Sequence, residues 1–189
     1  MITREQAIAL IEEHVANKNI IKHMFALEAV MGALWEKFKT DGTKEKWMMA
    51  GLLHDGDYCE SVPPERQGIQ VTEWAKEKGY EIPEDVAHAM AAHNWSNTKV
   101  EPESKMDWAI FCADSLTGLI VACVLVYPDK KLASISVDSV LKKFSSKSFA
   151  AGTRREDIAL CEEKLEIKLP DFIQIALSAM QGISMDIGL

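Results

Sequence analysis

The chain has 189 residues, of which 48% are hydrophobic and 26% charged, and these values fit one soluble globular domain with a sizeable core. Its formal net charge of −8 argues against a protein that binds nucleic-acid polymers by neutralising phosphates, but not against small phosphorylated substrates. The N-terminus lacks a signal-peptide apolar region, and the apolar run at 119–127 is shorter than the roughly 20 residues of a bilayer span. We therefore expect a cytoplasmic protein with no membrane partner.

Helical periodicity continues through almost the whole chain, and the alternation typical of strands is nearly absent. Capping sequences at Thr3, Ser104 and Thr153 predict the starts of three helices. The sequence predicts nine helical segments. The first begins after Thr3, the second runs from about 20 to the break at Asp41-Gly42, and the next three cover about 43–55, 65–78 and 83–93. The sixth begins at 105 and ends before Pro128, the seventh covers 136–144, the eighth begins after Thr153, and the last covers 170–180. The sequence predicts an all-α helical bundle with a single domain over 1–189, its core at about 19–127 and C-terminal helices at about 134–182 packed on it.

The cysteines show no paired CxxC spacing, which favours reduced thiols over a structural zinc site. They are Cys59, Cys112, Cys123 and Cys161. Cys112 and Cys123 lie in an apolar stretch, where a thiol packs as a small hydrophobe. Reduced cysteines agree with the expected cytoplasmic location.

The pair His54-Asp55 follows the apolar run 48–53, at the predicted end of the third helix. Burying an unpaired charge is expensive, so a carboxylate at the end of such a run needs a partner. Neighbouring helical positions point about 100° apart, yet both side chains could flank a cation just beyond the helix end. The doublet therefore predicts a metal site.

Two further residues could complete this site from other helices. His23 lies on the second predicted helix, and Asp114 lies within the apolar run 111–116. Such sites are built inside helical bundles from inward-facing side chains. Nitrogen and oxygen ligands together favour one divalent transition metal, Mn, Fe, Co, Ni or Zn, over Ca, and Mg stays possible.

His23, His54-Asp55 and Asp114, in this order on an all-α chain, resemble the H…HD…D signature of the HD superfamily of metal-dependent phosphohydrolases. Four segments look like those of small HDIG-type members of the superfamily, and the similarity extends over nearly the whole chain. The segments are GLLHDGDY at 51–58, AHN at 92–94, ADSLTGLI at 113–120 and FAAGTRRE at 149–156.

The resemblance implies a helical bundle around a divalent metal, with His23, His54, Asp55 and Asp114 as ligands. It also implies hydrolysis of phosphate esters in nucleotides or related compounds. Relatives with two metals carry additional histidines after the doublet, but this chain has none between His54 and His88. We therefore expect one metal, with His93 lining the site or contributing to a weaker second position.

Other polar residues are candidates for catalysis and substrate binding. Asp57 follows the ligand doublet and could orient water as a general acid or base, together with Asp55 and His93. Four basic residues could bind the phosphate, because guanidinium and ammonium groups pair with phosphate oxygens. They are Lys22, Arg66, Arg154 and Arg155. For each of them the alternative is an ordinary solvated side chain, and for Asp57 it is a loop carboxylate.

The resulting hypothesis is a metal-dependent phosphohydrolase, a phosphomonoesterase or phosphodiesterase, that is a monomer or homodimer. Two alternatives stay open at this point. One is a non-catalytic HD-domain sensor that binds a nucleotide or a metal without turnover. The other is a purely structural helical protein in which the doublet is coincidental.

Overall fold

The computed structural model describes all 189 residues, and it contains twelve α-helices and no β-strand. The helices are α1 Arg4–His14, α2 Lys18–Phe38, α3 Lys44–Leu53, α4 Gln70–Glu77, α5 Glu84–His93, α6 Trp95–Thr98, α7 Lys105–Leu125, α8 Val137–Phe144, α9 Arg155–Ala159, α10 Cys161–Lys164, α11 Leu169–Gly182 and α12 Ser184–Ile187. Short 3₁₀ turns cover Pro64–Arg66 and Leu132–Ser134. One hydrophobic core of 46 buried residues draws on helices from α1 to α12. The prediction of an all-α single domain is confirmed.

The capping sequences predict two of three helix starts correctly. The Thr3 hydroxyl accepts a hydrogen bond from the Gln6 N–H, and the Ser104 hydroxyl accepts one from the Asp107 N–H. At Thr153 the prediction is wrong, because α9 is capped by Arg154 without a side-chain hydrogen bond. Thr153 belongs to the preceding turn, where its N–H donates to the Ala150 carbonyl at 2.9 Å.

Helices α2 and α3 form a hairpin joined by residues 39–43, and Gly51 allows their close approach. A Cβ atom at Gly51 would lie 2.7 Å from the carbonyl oxygen of Leu27. His23 lies one turn before Leu27 on α2, and His54 follows Gly51 by three residues. The contact that only glycine permits therefore holds the two histidines at the same end of the hairpin.

Helix α7 crosses the middle of the protein and packs against α2, α5, α8 and α9. Its 21 residues make it long and apolar enough to cross a membrane. The apolar part of this helix is therefore longer than the run 119–127 considered in the sequence. Because 61% of the most apolar stretch of α7 is buried inside the protein, α7 has the character of the core helix of a soluble protein. This buried helix carries Asp114.

Candidate metal centre

Four predicted ligands come together at the end of the α2–α3 hairpin, beside the middle of α7. His23 Nε2 lies 2.9 Å from Asp114 Oδ1 and 3.2 Å from His54 Nε2. Asp55 Oδ2 lies 3.4 Å from His54 Nε2 and 3.9 Å from His23 Nε2. Two ligands that each lie about 2.1 Å from one ion are about 3.0 Å apart at a right angle and about 3.4 Å apart at a tetrahedral angle. His23, His54 and Asp114 therefore form one group that could hold a cation, and Asp55 lies beside this group.

Hydrogen bonds orient both histidines with their Nε2 atoms towards the centre. His54 Nδ1 lies 2.9 Å from the Gly51 carbonyl, which can only accept, so Nδ1 carries the proton. The Thr117 hydroxyl donates to the Asp114 carbonyl at 2.8 Å and accepts from His23 Nδ1 at 3.1 Å. In the neutral imidazoles both Nε2 atoms then present lone pairs. Such outer hydrogen bonds commonly fix metal-binding histidines.

The donor set therefore fits a divalent cation. Two Nε2 lone pairs and two carboxylates face one another with no proton directed between them, and this arrangement is repulsive unless positive charge lies at the centre. The His54 side chain is fully buried, whereas His23, Asp55 and Asp114 keep 20%, 17% and 19% of their side chains exposed. One side of the centre is open to a substrate.

Both carboxylates are ionised at neutral pH. Burial raises the pKa of Asp114, but the hydrogen bond and charge that His23 provides when its ring is protonated, together with the charge of His54, outweigh burial and lower this pKa to about 2. Burial likewise raises the pKa of Asp55, and the charges and hydrogen bonds of His54 and His93 in their protonated forms bring it well below its ordinary value. The centre therefore offers two negative charges to a cation.

His93 is also part of this centre, on the side away from His23. Its Nδ1 faces the Met90 carbonyl, and its Nε2 lies 3.5 Å from Asp55 Oδ1. Ligand atoms of His54, Asp55 and His93 lie within 4.8 Å of one another, so they form a second group that could hold an ion. Burial lowers the pKa of His93, but the hydrogen bond and charge of Asp55 raise it above its ordinary value. The structure thus brings His93 to the position expected for a residue that lines the site.

His88 lies outside the centre. Its Nδ1 donates to Asp107 Oδ2 at 3.0 Å, and the same Asp107 oxygen accepts the N–H groups of Glu103 and Ser104 at the start of α7. His88 therefore supports a helix cap.

Asp57 has a different environment from the one its sequence position suggests. Its carboxylate is buried and accepts hydrogen bonds from the Gly68 N–H at 2.8 and 3.0 Å and from the Val71 N–H at 3.0 Å. Burial raises its pKa, against the effect of these two backbone donors. Asp57 anchors the loop before α4, and the general acid/base role predicted for it has no supporting contact.

Two of the four predicted phosphate-binding residues lie near the centre. Arg154 Nη2 lies 3.6 Å from Asp114 Oδ2, while its Nε donates to Asp157 Oδ2 at 2.7 Å. Lys22 lines a cavity together with His23. These are the basic side chains that a phosphate at the centre could meet.

The other two predicted basic residues are engaged elsewhere. The Arg155 guanidinium donates to backbone carbonyls at the end of α8 and in the loop after it, among them those of Phe144 at 2.8 Å and Phe149 at 2.6 Å. Arg66 pairs with Glu73 at 2.5 Å and donates to Gln70 at 3.2 Å. Both side chains organise local structure instead of facing the metal ligands.

Two cavities adjoin the centre, and sequence reasoning identified neither. A cavity of about 560 Å³ is lined by Lys22, His23 and residues of α7 and α12. A smaller one of about 320 Å³ is lined by Trp95, Phe111, Arg154 and others. The only sequence signal was the position of Trp95 two residues after His93.

No family model, curated protein or solved structure matches this chain. The resemblance to the HD superfamily therefore depends on the motif residues and on their order along the chain. The all-α fold and the His/Asp group that could bind a metal are compatible with an HD-type fold.

Proposed function

We propose that this protein is a metal-dependent phosphohydrolase that acts on a phosphate ester of a nucleotide or a related small molecule. The observation that carries the proposal is the convergence of His23, His54, Asp55 and Asp114. The Nε2 atoms of the two histidines lie 3.2 Å apart and 2.9–3.9 Å from the carboxylate oxygens, with unshared electron pairs facing one another. A divalent cation held there would polarise a phosphoryl oxygen and lower the pKa of water, which is the chemistry that ester hydrolysis needs.

The surrounding residues support a phosphate ester as the ligand. Arg154 lies beside Asp114 and could donate to a phosphate oxygen on the open side of the centre. Trp95 and Phe111 line the small cavity together with Arg154, and they offer aromatic surface to a planar group such as a nucleobase. His93 is the nearest further group that could exchange a proton with the leaving oxygen.

The test combines metal analysis with a substrate panel. Purified protein would be loaded separately with Mn, Co, Ni and Zn and assayed against nucleoside mono-, di- and cyclic phosphates. Asp55→Ala should lose both bound metal and hydrolysis, whereas His14→Gln, a histidine that stacks on Trp74 away from the centre, serves as the matched control. Hydrolysis that persists undiminished in metal-free Asp55→Ala protein would refute the proposal.

A non-catalytic sensor is the second candidate, and the environment of Asp57 favours it. Both oxygens of this carboxylate accept backbone hydrogen bonds, so it cannot serve freely as a base. A sensor would bind a nucleotide in a metal-dependent manner and release no product with any of the metals. If neither metal content nor a gain in melting temperature with added metal is found, the protein is structural, because a ligand stabilises the state it binds.

A further inference from the structure

One face of α7 carries Asp114 and contributes residues to both cavities. Phe111, Asp114, Gly118, Val121 and Leu125 follow one another at spacings of three and four residues, which places them along one side of the helix. Phe111 lines the smaller cavity, and Gly118, Val121 and Leu125 line the larger one. With a rise of about 1.5 Å per residue, Phe111 and Gly118 are about 10 Å apart along the helix, with Asp114 between them.

The two cavities differ in chemistry. The smaller one has aromatic walls and contains Arg154. The larger one, here called the aliphatic cavity, has no aromatic lining, and its walls include Val121, Leu125 and Ile187. Its polar residues, Asn19, Lys22 and His23, are confined to the first turns of α2. An aliphatic group fits these walls better than a nucleobase does.

Gly118 adds no side chain to the wall of the aliphatic cavity that it lines. A Cβ atom at Gly118 would meet nothing within 4 Å, although the residue lies in the interior of a helix where glycine is unfavourable. Leu125, on the same face, is 51% exposed. This apolar wall continues directly from His23, so a ligand bound at the metal centre could extend over it.

We propose, on the basis of the phosphohydrolase function above, that the substrate is a phosphodiester whose aliphatic ester group lies in the aliphatic cavity, with Gly118 as the residue that determines this specificity. A monoester has a single organic group and would leave one cavity empty. Charge also favours a diester monoanion, because Arg154 is already paired with Asp157 at 2.7 Å and Lys22 is the other basic side chain beside the centre.

The reaction is a hydrolysis that needs no further reactant. The oxygen of water forms a bond to phosphorus, and the bond from phosphorus to one ester oxygen breaks. The departing oxygen takes up a proton and leaves as an alcohol, while the aliphatic group remains on a phosphate monoester.

Gly118→Leu tests the proposal in the metal-loaded protein. The substrates are butyl 4-nitrophenyl phosphate, which offers an aromatic and an aliphatic group, and 4-nitrophenyl phosphate, which lacks the aliphatic group. The ratio of kcat/KM for the diester to that for the monoester should fall at least tenfold in Gly118→Leu. Gly182→Leu, at the end of α11 where a Cβ also meets nothing within 4 Å, is the matched control and should keep the wild-type ratio. An unchanged ratio in Gly118→Leu would overturn the proposal.

A binding series separates this proposal from the function on which it rests. The affinity of metal-loaded wild-type protein for methyl, ethyl, butyl and hexyl phosphate should rise about two- to fourfold per methylene, as expected for burial of the chain. Gly118→Leu should abolish this dependence. If neither ester is hydrolysed, the hydrolase proposal fails while the series still tests the cavity. An affinity that does not depend on the length of the alkyl chain would overturn the proposal. If Gly118→Leu then changed the oligomeric state, the aliphatic cavity would instead be part of an interface between two copies of this chain.

Discussion

Thr117 fixes the orientation of His23, and its replacement by valine should weaken metal binding without changing the fold. Thr117 is fully buried, its hydroxyl accepts from His23 Nδ1 at 3.1 Å, and it donates to the Asp114 carbonyl at 2.8 Å. Valine has nearly the same shape but cannot accept a hydrogen bond. The variant therefore removes the contact that turns His23 Nε2 towards the other ligands.

The expected loss of metal affinity in Thr117→Val is about 10- to 100-fold, the range for removing an outer hydrogen bond of a metal-binding histidine. This corresponds to about 1.4 to 2.8 kcal/mol of binding free energy. In the metal-free protein, the unpaired His23 N–H should lower the free energy of unfolding by about 1 to 3 kcal/mol. For a chain of this size, each kcal/mol lowers the melting temperature by about 2 to 4 °C.

Metal affinity is measured by competition with a chromophoric chelator, and unfolding by circular dichroism. Thr117→Ser keeps the hydroxyl and should restore most of the affinity, so it is the matched control. Equal metal affinity in Thr117→Val and wild type would show that this hydrogen bond does not orient a ligand. Equally weak binding by the serine and valine variants would attribute the loss to packing.

Two further outcomes follow from the geometry. Gly51→Ala should lower the free energy of unfolding by about 1 to 3 kcal/mol, measured with denaturant, because its Cβ would lie 2.7 Å from the Leu27 carbonyl; a stabilised variant would contradict the close approach of α2 and α3. Arg155→Met should destabilise the protein by about 2 kcal/mol through lost hydrogen bonds to loop carbonyls, with metal affinity unchanged by chelator competition; a selective loss of metal affinity would contradict its structural role.

The features that depend on short sequence patterns were predictable. Thr3 and Ser104 cap helices because the residues three positions later complete each capping box, which is a local arrangement. His54-Asp55 stands out because polar residues end an apolar run. The structure groups His54 with His23 and Asp114, and it groups both residues of the doublet with His93.

The features that depend on tertiary contacts were not predictable. The carboxylate of Asp57 accepts from the backbone of Gly68, and the guanidinium of Arg155 donates to the backbone of Phe149, in loops that carry no periodic signal. Gly51 is an ordinary helical residue in the sequence, and only the position of Leu27 across the hairpin explains it. The aliphatic cavity likewise depends on the packing of α2, α7 and α12, which no single segment records.

The direction of the hydrogen bonds argues against a purely structural His/Asp network. In such a network, imidazole N–H groups would point at the carboxylates, but the Nδ1 protons of His23 and His54 point outward to Thr117 and Gly51. If both rings also donated to the carboxylates, both Nε2 atoms would carry protons, and these atoms are only 3.2 Å apart. Two such positive charges repel by about 5 kcal/mol at an effective dielectric constant of about 20. A single divalent cation satisfies both lone pairs and both carboxylates without this repulsion, so the orientation of the two rings favours a metal centre.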